Sequence, residues 1–206
     1  AKVDNYTMLI DLTKSEEELW KELDKGSIRW GVGYAERNGL KASVAKAEEI
    51  DEFYKLYEET ANTGRFTPES KDFVKRVAIS DIGKLFVIKK DAKIVAGGLI
   101  LVDEHNNYSI LDLTSASESG LKLQAMPFLY WSLISYSKKR GLNYFDLGGF
   151  DREAKEGEKT HSINKFKERF GGKVVLQPIY ATNWKYKLFR RILKRVRFMK
   201  GAYTKK

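Results

Sequence analysis

The sequence predicts an α/β domain built on a mixed, mostly antiparallel sheet with helices on both faces. Three observations carry this. Apolar residues make up 42% of the 206 residues, enough to fill one sizeable core. Between Leu85 and Ser115 three strand-like runs follow one another across short turns, the pattern of an antiparallel meander. A long helical stretch then leads to a short apolar strand, and a strand reached through a crossover helix pairs parallel to its partner.

The elements read in order as follows. Tyr6 to Leu12 alternates loosely and reads as a strand. Ser15-Glu16-Glu17-Glu18 is a capping box that opens a helix to about Leu23. Ser27 to Asn38 reads as a second helix stopped by Gly39, and Leu40 to Ala47 as a strand. Ile50, Phe53, Tyr54, Leu56 and Tyr57 form a helical stripe within Glu48 to Ala61, and Pro68 opens a further helix to about Ile79. The meander comprises Leu85–Ile88, Ile94–Val102 and Tyr108–Ser115, with Gly97-Gly98 marking a bulge or a close backbone approach. A long helix spans Leu121 to Lys139. Tyr144 to Leu147 is a short buried strand ending at Gly148-Gly149, and Asp151 to Thr160 is a charged loop. Ser162 to Phe170 is a short helix, Val174 to Ala181 a strand, and Trp184 to about Met199 a final helix. This predicts one domain over residues 1–182 and a basic amphipathic helix and tail over 183–206.

Composition narrows the chemistry. The chain has no cysteine, which excludes disulfides, thiolate metal sites and Cys nucleophiles and suits a reducing compartment. Two histidines, His105 and His161, are too few for a multi-His metal site, and no metal is expected. No run approaches the roughly 20 apolar residues that span a bilayer, and the first residues carry no signal-peptide pattern. The expected location is cytoplasmic, extending to the inner face of the membrane. The formal charge of +10 is unevenly placed: Arg169 to Lys206 holds 12 Lys or Arg and no acid, while the preceding residues sum to −2. Along residues 184–199 an apolar stripe faces a basic one that includes Arg190, Arg191, Lys194 and Arg195, a surface for nucleic-acid phosphates, an anionic membrane or solvent.

Several segments resemble the Fem-type (FemAB/FemX) aminoacyl-tRNA-dependent transferases that build peptidoglycan cross-bridges, within the GNAT superfamily. They are Thr7–Glu18 (TMLIDLTKSEEE), Arg29–Gly39, Glu49–Thr60, Gly64-Arg65-Phe66, Tyr144-Phe-Asp-Leu-Gly-Gly149 and Ile163-Asn-Lys-Phe-Lys-Glu-Arg-Phe-Gly171. The resemblance covers roughly Thr7 to Tyr180 and matches the second of the two acyltransferase copies that such proteins carry. It implies a GNAT-like acyl-CoA N-acyltransferase fold and transfer of an amino acid from aminoacyl-tRNA to an amine, with a peptidoglycan precursor as the expected acceptor. No cofactor is expected beyond the tRNA-borne donor; an acyl-CoA donor and a non-catalytic module binding RNA or membrane are the alternatives. The stretch Ser117-Glu-Ser-Gly-Leu-Lys-Leu-Gln124, with one glycine and an acid, makes a poor cradle for a CoA pyrophosphate. A homodimer or a second GNAT-like chain would supply the other copy.

The resemblance puts Lys167 near the transferred acyl group, where an ammonium stabilises oxyanion charge, and Phe166 at the acyl pocket wall. Asp112, among apolar neighbours in its strand, is the candidate proton acceptor, set against a solvent-facing reading that alternation equally allows. Arg29 and Arg65 are candidates for a substrate phosphate or carboxylate, against the plain reading of surface arginines. Gly148 and Gly149 suit a close backbone approach to substrate or a tight turn. Asp146 is read as tying that turn rather than doing chemistry.

Overall fold

A computed structural model describes residues 2, 3, 5–64 and 66–180. Strand β1 (Lys2–Val3) precedes β2 (Tyr6–Asp11). Helix α1 (Glu16–Glu22) starts on the predicted capping box: Glu18 N donates to Ser15 Oγ at 3.2 Å, and Ser15 N to Glu18 Oε2 at 2.8 Å. A π-helical turn over Lys25–Arg29 runs directly into α2 (Trp30–Arg37), so the helix predicted from Ser27 begins two residues earlier and is wider at its start. Gly39 ends it with φ +75°, and β3 (Lys41–Val44) follows.

A 3₁₀ turn leads into α3 (Ile50–Gly64), and then comes α4 (Lys71–Ala78). Pro68 lies outside α4. Ser70 caps that helix instead, its hydroxyl accepting from Phe73 N at 3.2 Å, because a side-chain acceptor satisfies an orphan amide where a proline merely lacks one. The meander is β4 (Gly83–Lys90), β5 (Lys93–Asp103) and β6 (Tyr108–Ala116). Asp91 and Ala92, both at positive φ, make the β4–β5 turn.

The long helix predicted from Leu121 is broken into α5 (Glu118–Lys122) and α6 (Ala125–Lys139), with Gln124 left-handed at φ +59° between them. Pro127 explains the break. It has no N–H to give to Leu123, so it is tolerated in the first turn of a helix that restarts and not in the middle of a continuous one. Strand β7 (Tyr144–Gly149), helix α7 (Lys159–Glu168), β8 (Lys173–Leu176) and β9 (Ile179–Tyr180) complete the described chain. The single strand predicted over Val174–Ala181 is thus divided in two. The basic segment with Arg190, Arg191, Lys194 and Arg195, and Arg65, lie outside the described residues.

Seven strands form one sheet in the order β3-β4-β5-β6-β7-β2-β8, while β1 and β9 pair separately. The β6–β7 pair is parallel and the other pairs are antiparallel, as the crossover through α6 requires. Alternation along β4 divides its side chains between two cores. Phe86 and Ile88 join the layer under α1, α2 and α6, with Met8, Ile10, Leu129, Leu133 and Phe145. Leu85 and Val87 join the layer under α3 and α4, with Phe53, Tyr57, Val74, Leu99 and Leu113. Among the described residues no helix is long and apolar enough to cross a membrane.

The Gly97-Gly98 pair marks a close approach. A Cβ on Gly97 would stand 2.6 Å from the Phe53 ring and 2.8 Å from the Phe86 carbonyl. The bulges lie elsewhere, at the β4–β5 register shift after Ile88 and at Asp112 in β6, where Leu111 and Leu113 face Ile100 and Leu99. Gly97→Ala is therefore expected to cost about 1–3 kcal/mol by overpacking, read as a lowered urea midpoint.

Candidate active site

Where the parallel pair ends, the buried polar groups gather. β6 and β7 pair from Tyr108 opposite Tyr144 to Ile110 opposite Asp146. Beyond that point β6 carries its bulge at Asp112, and β7 ends in Gly148 and Gly149. Lys167, on α7, is 7% exposed and donates from Nζ to the Gly149 carbonyl at 2.9 Å. An ammonium has three donors, so two remain for a ligand. Burial pushes the Lys167 ammonium below the ordinary lysine range, and the Asp146 carboxylate opposes that shift.

Local structure places this lysine. Gly148 sits at φ +79°, and a Cβ there would be 3.3 Å from the Leu111 carbonyl and 3.7 Å from Lys167 Nζ. The ammonium lies at ordinary van der Waals distance from that position, so the positive φ is what calls for glycine there, while Gly149 has nothing within 4 Å of such an atom. Asn164, one turn before Lys167 and buried, ties α7 to the loop after β7 by donating from Nδ2 to the Asp151 carbonyl at 2.7 Å.

Asp146 is fully buried and accepts three hydrogen bonds, from Thr7 Oγ1, from the Tyr108 hydroxyl and from Gly148 N at 2.7 Å. Burial, then the Asp146 carboxylate, drives the Tyr108 hydroxyl well above the usual phenol range, so it stays protonated and donates. Asp146 does tie the Gly-Gly turn, as the sequence indicates. The contributions of Thr7 and Tyr108 were not legible, since Thr7 lies 139 residues away from its partner.

The other candidates divide. Phe166 packs edge-on against Tyr130 (5.1 Å) and Phe170 (5.2 Å), and also lines a pocket of about 310 Å³. That pocket lies between the π-helical turn, the start of α6 and α7; Ser27, Trp30, Gln124, Pro127 and Arg169 also line it. Trp30 is 49% exposed and stacks on Tyr34 at 5.1 Å. Arg29 is half-buried in the π-helical turn, and its Nε is buried without a hydrogen-bond partner. Asp112 is exposed at its bulge. Partial enclosure of its carboxyl and then the Glu69 carboxylate raise its pKa. The charge acting on Lys167 is thus Asp146, whereas Asp112 answers to Glu69. Among the described residues no group of three or more His, Asp or Glu converges as metal ligands would.

Residues 27–159 match the model of the acetyltransferase (GNAT) domain family. The chain belongs to this family. No curated protein matches the chain by sequence. Solved structures share the GNAT fold at low identity. FemX is 12% identical with a TM-score of 0.73, over 82% of this chain and 59% of FemX. L-PGS from Bacillus licheniformis is 16% identical with a TM-score of 0.65, over 95% of this chain and 66% of that one. The C-terminal domain of a putative lysylphosphatidylglycerol synthetase from Agrobacterium fabrum is 17% identical with a TM-score of 0.65, over 93% and 64%. The chain spans about three-fifths to two-thirds of the length of these three.

The stretch 117–124 of this GNAT domain is closed in on itself. Ser117 Oγ caps α5 by accepting from Gly120 N at 3.0 Å. Gly120 is required for packing, because a Cβ there would fall 2.2 Å from the Val95 carbonyl.

Two outcomes test the site's construction. Gly148→Ala is expected to cost about 1–2 kcal/mol in urea unfolding, while Gly149→Ala stays within about 0.5 kcal/mol. The second concerns pH. The folded state holds the Lys167 proton less tightly than the unfolded chain does, so the charged lysine costs stability. That cost is relieved as pH rises from the lowered folded value toward the ordinary one. The stability of the native protein relative to Lys167→Met should therefore rise between neutral and alkaline pH, measured by urea unfolding at each pH.

Proposed function

We propose that the chain is an aminoacyltransferase that moves an amino acid from aminoacyl-tRNA to an amine, with a peptidoglycan precursor peptide as acceptor. One observation carries the reading: a buried ammonium, Lys167, stands with free donors at the end of the β6–β7 pair, beside a glycine turn that leaves space for a substrate. The acceptor nitrogen attacks the ester carbonyl, and Lys167 stabilises the oxyanion that forms. The carbon–oxygen bond to the ribose then breaks. Asp112, exposed and with a raised pKa, takes the proton from the attacking amine and returns it to the leaving 3′ oxygen as that departs. The ester supplies the driving force, so the protein's task is to position reactants and steady charge.

The 310 Å³ pocket, lined by Trp30, Phe166 and Arg169, is the seat this reading gives the donor's last nucleotide, with the aromatic rings for its base and the guanidinium for a phosphate. Arg190, Arg191, Lys194 and Arg195 contribute positive charge toward the rest of the tRNA. The stretch 117–124, with one glycine and an acid, is a weak cradle for a CoA pyrophosphate and favours this donor over CoA. The structural neighbours agree in kind: one is FemX, and another carries the name of an enzyme that makes an aminoacyl lipid. In this reading the chain corresponds to one of the two acyltransferase copies of a Fem-type protein, and a second GNAT-like unit completes the acceptor site.

The test is incubation with a mixed pool of radiolabelled aminoacyl-tRNAs and cell-wall precursor. Label is expected in the precursor, and Lys167→Ala should lower kcat about 100-fold or more with little change in donor KM. With phosphatidylglycerol vesicles added, label in that lipid would move the acceptor to a lipid; with acetyl-CoA added, acetyl transfer without any tRNA-dependent labelling would overturn the reading.

A further inference from the structure

The mechanism above uses Lys167 and leaves the best-satisfied buried carboxylate of the site unused. We propose that Asp146, held by Thr7 and Tyr108, is a positioning residue that keeps the Lys167 ammonium charged and aimed at the end of the β6–β7 pair. This rests on Lys167 being the group that meets the reacting carbonyl.

The geometry gives Asp146 two tasks at once. Through its bond with Gly148 N at 2.7 Å it holds the left-handed turn, and that turn presents the Gly149 carbonyl to Lys167 Nζ at 2.9 Å. Through its charge it opposes the burial that would strip the proton from Lys167. A carboxylate can do both only while fixed and ionised. The hydroxyls of Thr7, from β2, and Tyr108, from β6, donate to it from the two strands that flank β7 in the sheet. The alternative role, a purely structural clamp across three strands, needs no lysine nearby and predicts no effect on its proton.

The charges carried by the surrounding elements leave Asp146 as the partner. β2 contributes the neutral Thr7, and β6 contributes Tyr108, protonated, and Asp112, exposed and under the influence of Glu69. On α7, Lys165 and Glu168 pair with each other at 2.8 Å on the exposed side, and Asn164 is neutral. In the loop after β7, Asp151 uses its carboxylate on Glu153 N at 3.0 Å.

The experiment follows the Lys167 side chain directly, in full-length protein carrying ¹³C-labelled lysine, by titrating its Cε resonance (assigned by its absence in Lys167→Arg). Asp146→Asn is nearly isosteric and keeps an oxygen for Gly148 N. It is expected to lower the Lys167 titration midpoint by about one pH unit or more. Tyr108→Phe should move it in the same direction by a smaller step, because the carboxylate is then less firmly held. In the transfer assay, Asp146→Asn should lose about tenfold more kcat at pH 8.5 than at pH 6.5, with donor KM unchanged, and adding Lys167→Arg should abolish that pH difference, since a guanidinium stays charged. A Lys167 midpoint unmoved by Asp146→Asn in a folded protein overturns the proposal, whatever the activity. If Asp146→Asn does not fold, an unmoved midpoint in Tyr108→Phe overturns it. A native protein that shows the midpoint shifts yet transfers no aminoacyl group supports the pairing of Asp146 with Lys167 and defeats the proposed reaction alone.

Discussion

The Asp146 carboxylate is the constraint around which this GNAT domain is organised. A carboxylate with no exposure must find donors for its lone pairs, and an unpaired one would cost several kcal/mol. Here the donors come from β2, from β6 and from the turn that ends β7. One side chain thus fixes three neighbouring strands laterally and sets the turn against which α7 lays its lysine. The two apolar layers, under α1, α2 and α6 and under α3 and α4, supply most of the stability. They do not specify where β7 must stop; the polar cluster does.

Local chemistry was readable where it is self-contained. Ser15 and Glu18 are three residues apart and satisfy each other, so their capping box is visible in the chain itself. The hairpin after β4 and the left-handed glycines at 39 and 148 are similar cases. Pro68 and Ser70 show where local signals compete: both suit the start of a helix, and the one that makes a hydrogen bond decided it. The break at Gln124 was signalled by Pro127, three residues into α6, but a strong apolar stripe on both sides masked it.

The candidate site was legible in part for the same physical reason. Lys167, Gly148 and Gly149 come together because a helix following a β-strand and a short loop packs back near that strand's end. Phe166 splits its surface between the aromatic cluster and the pocket wall. Arg29 lies in the π-helical turn that borders that pocket. Asp112 answers to Glu69, a contact made by a loop far away in sequence. Thr7 and Tyr108 carry no local mark, since their importance arises when distant strands become neighbours in the sheet.

The strand order has a consequence for how the domain is made. β2 lies between β7 and β8, more than 130 positions downstream. A chain emerging from the ribosome can close the β4–β6 meander early, because those contacts are local. Its first long strand must wait unpaired until the last ones appear, and Asp146 stays short of a donor until Thr7 arrives. The corner around Asp146 and Lys167 is therefore the last part of the described sheet to assemble, and a slow arrival of β2 would leave a molecule with most of its cores packed and that corner unformed.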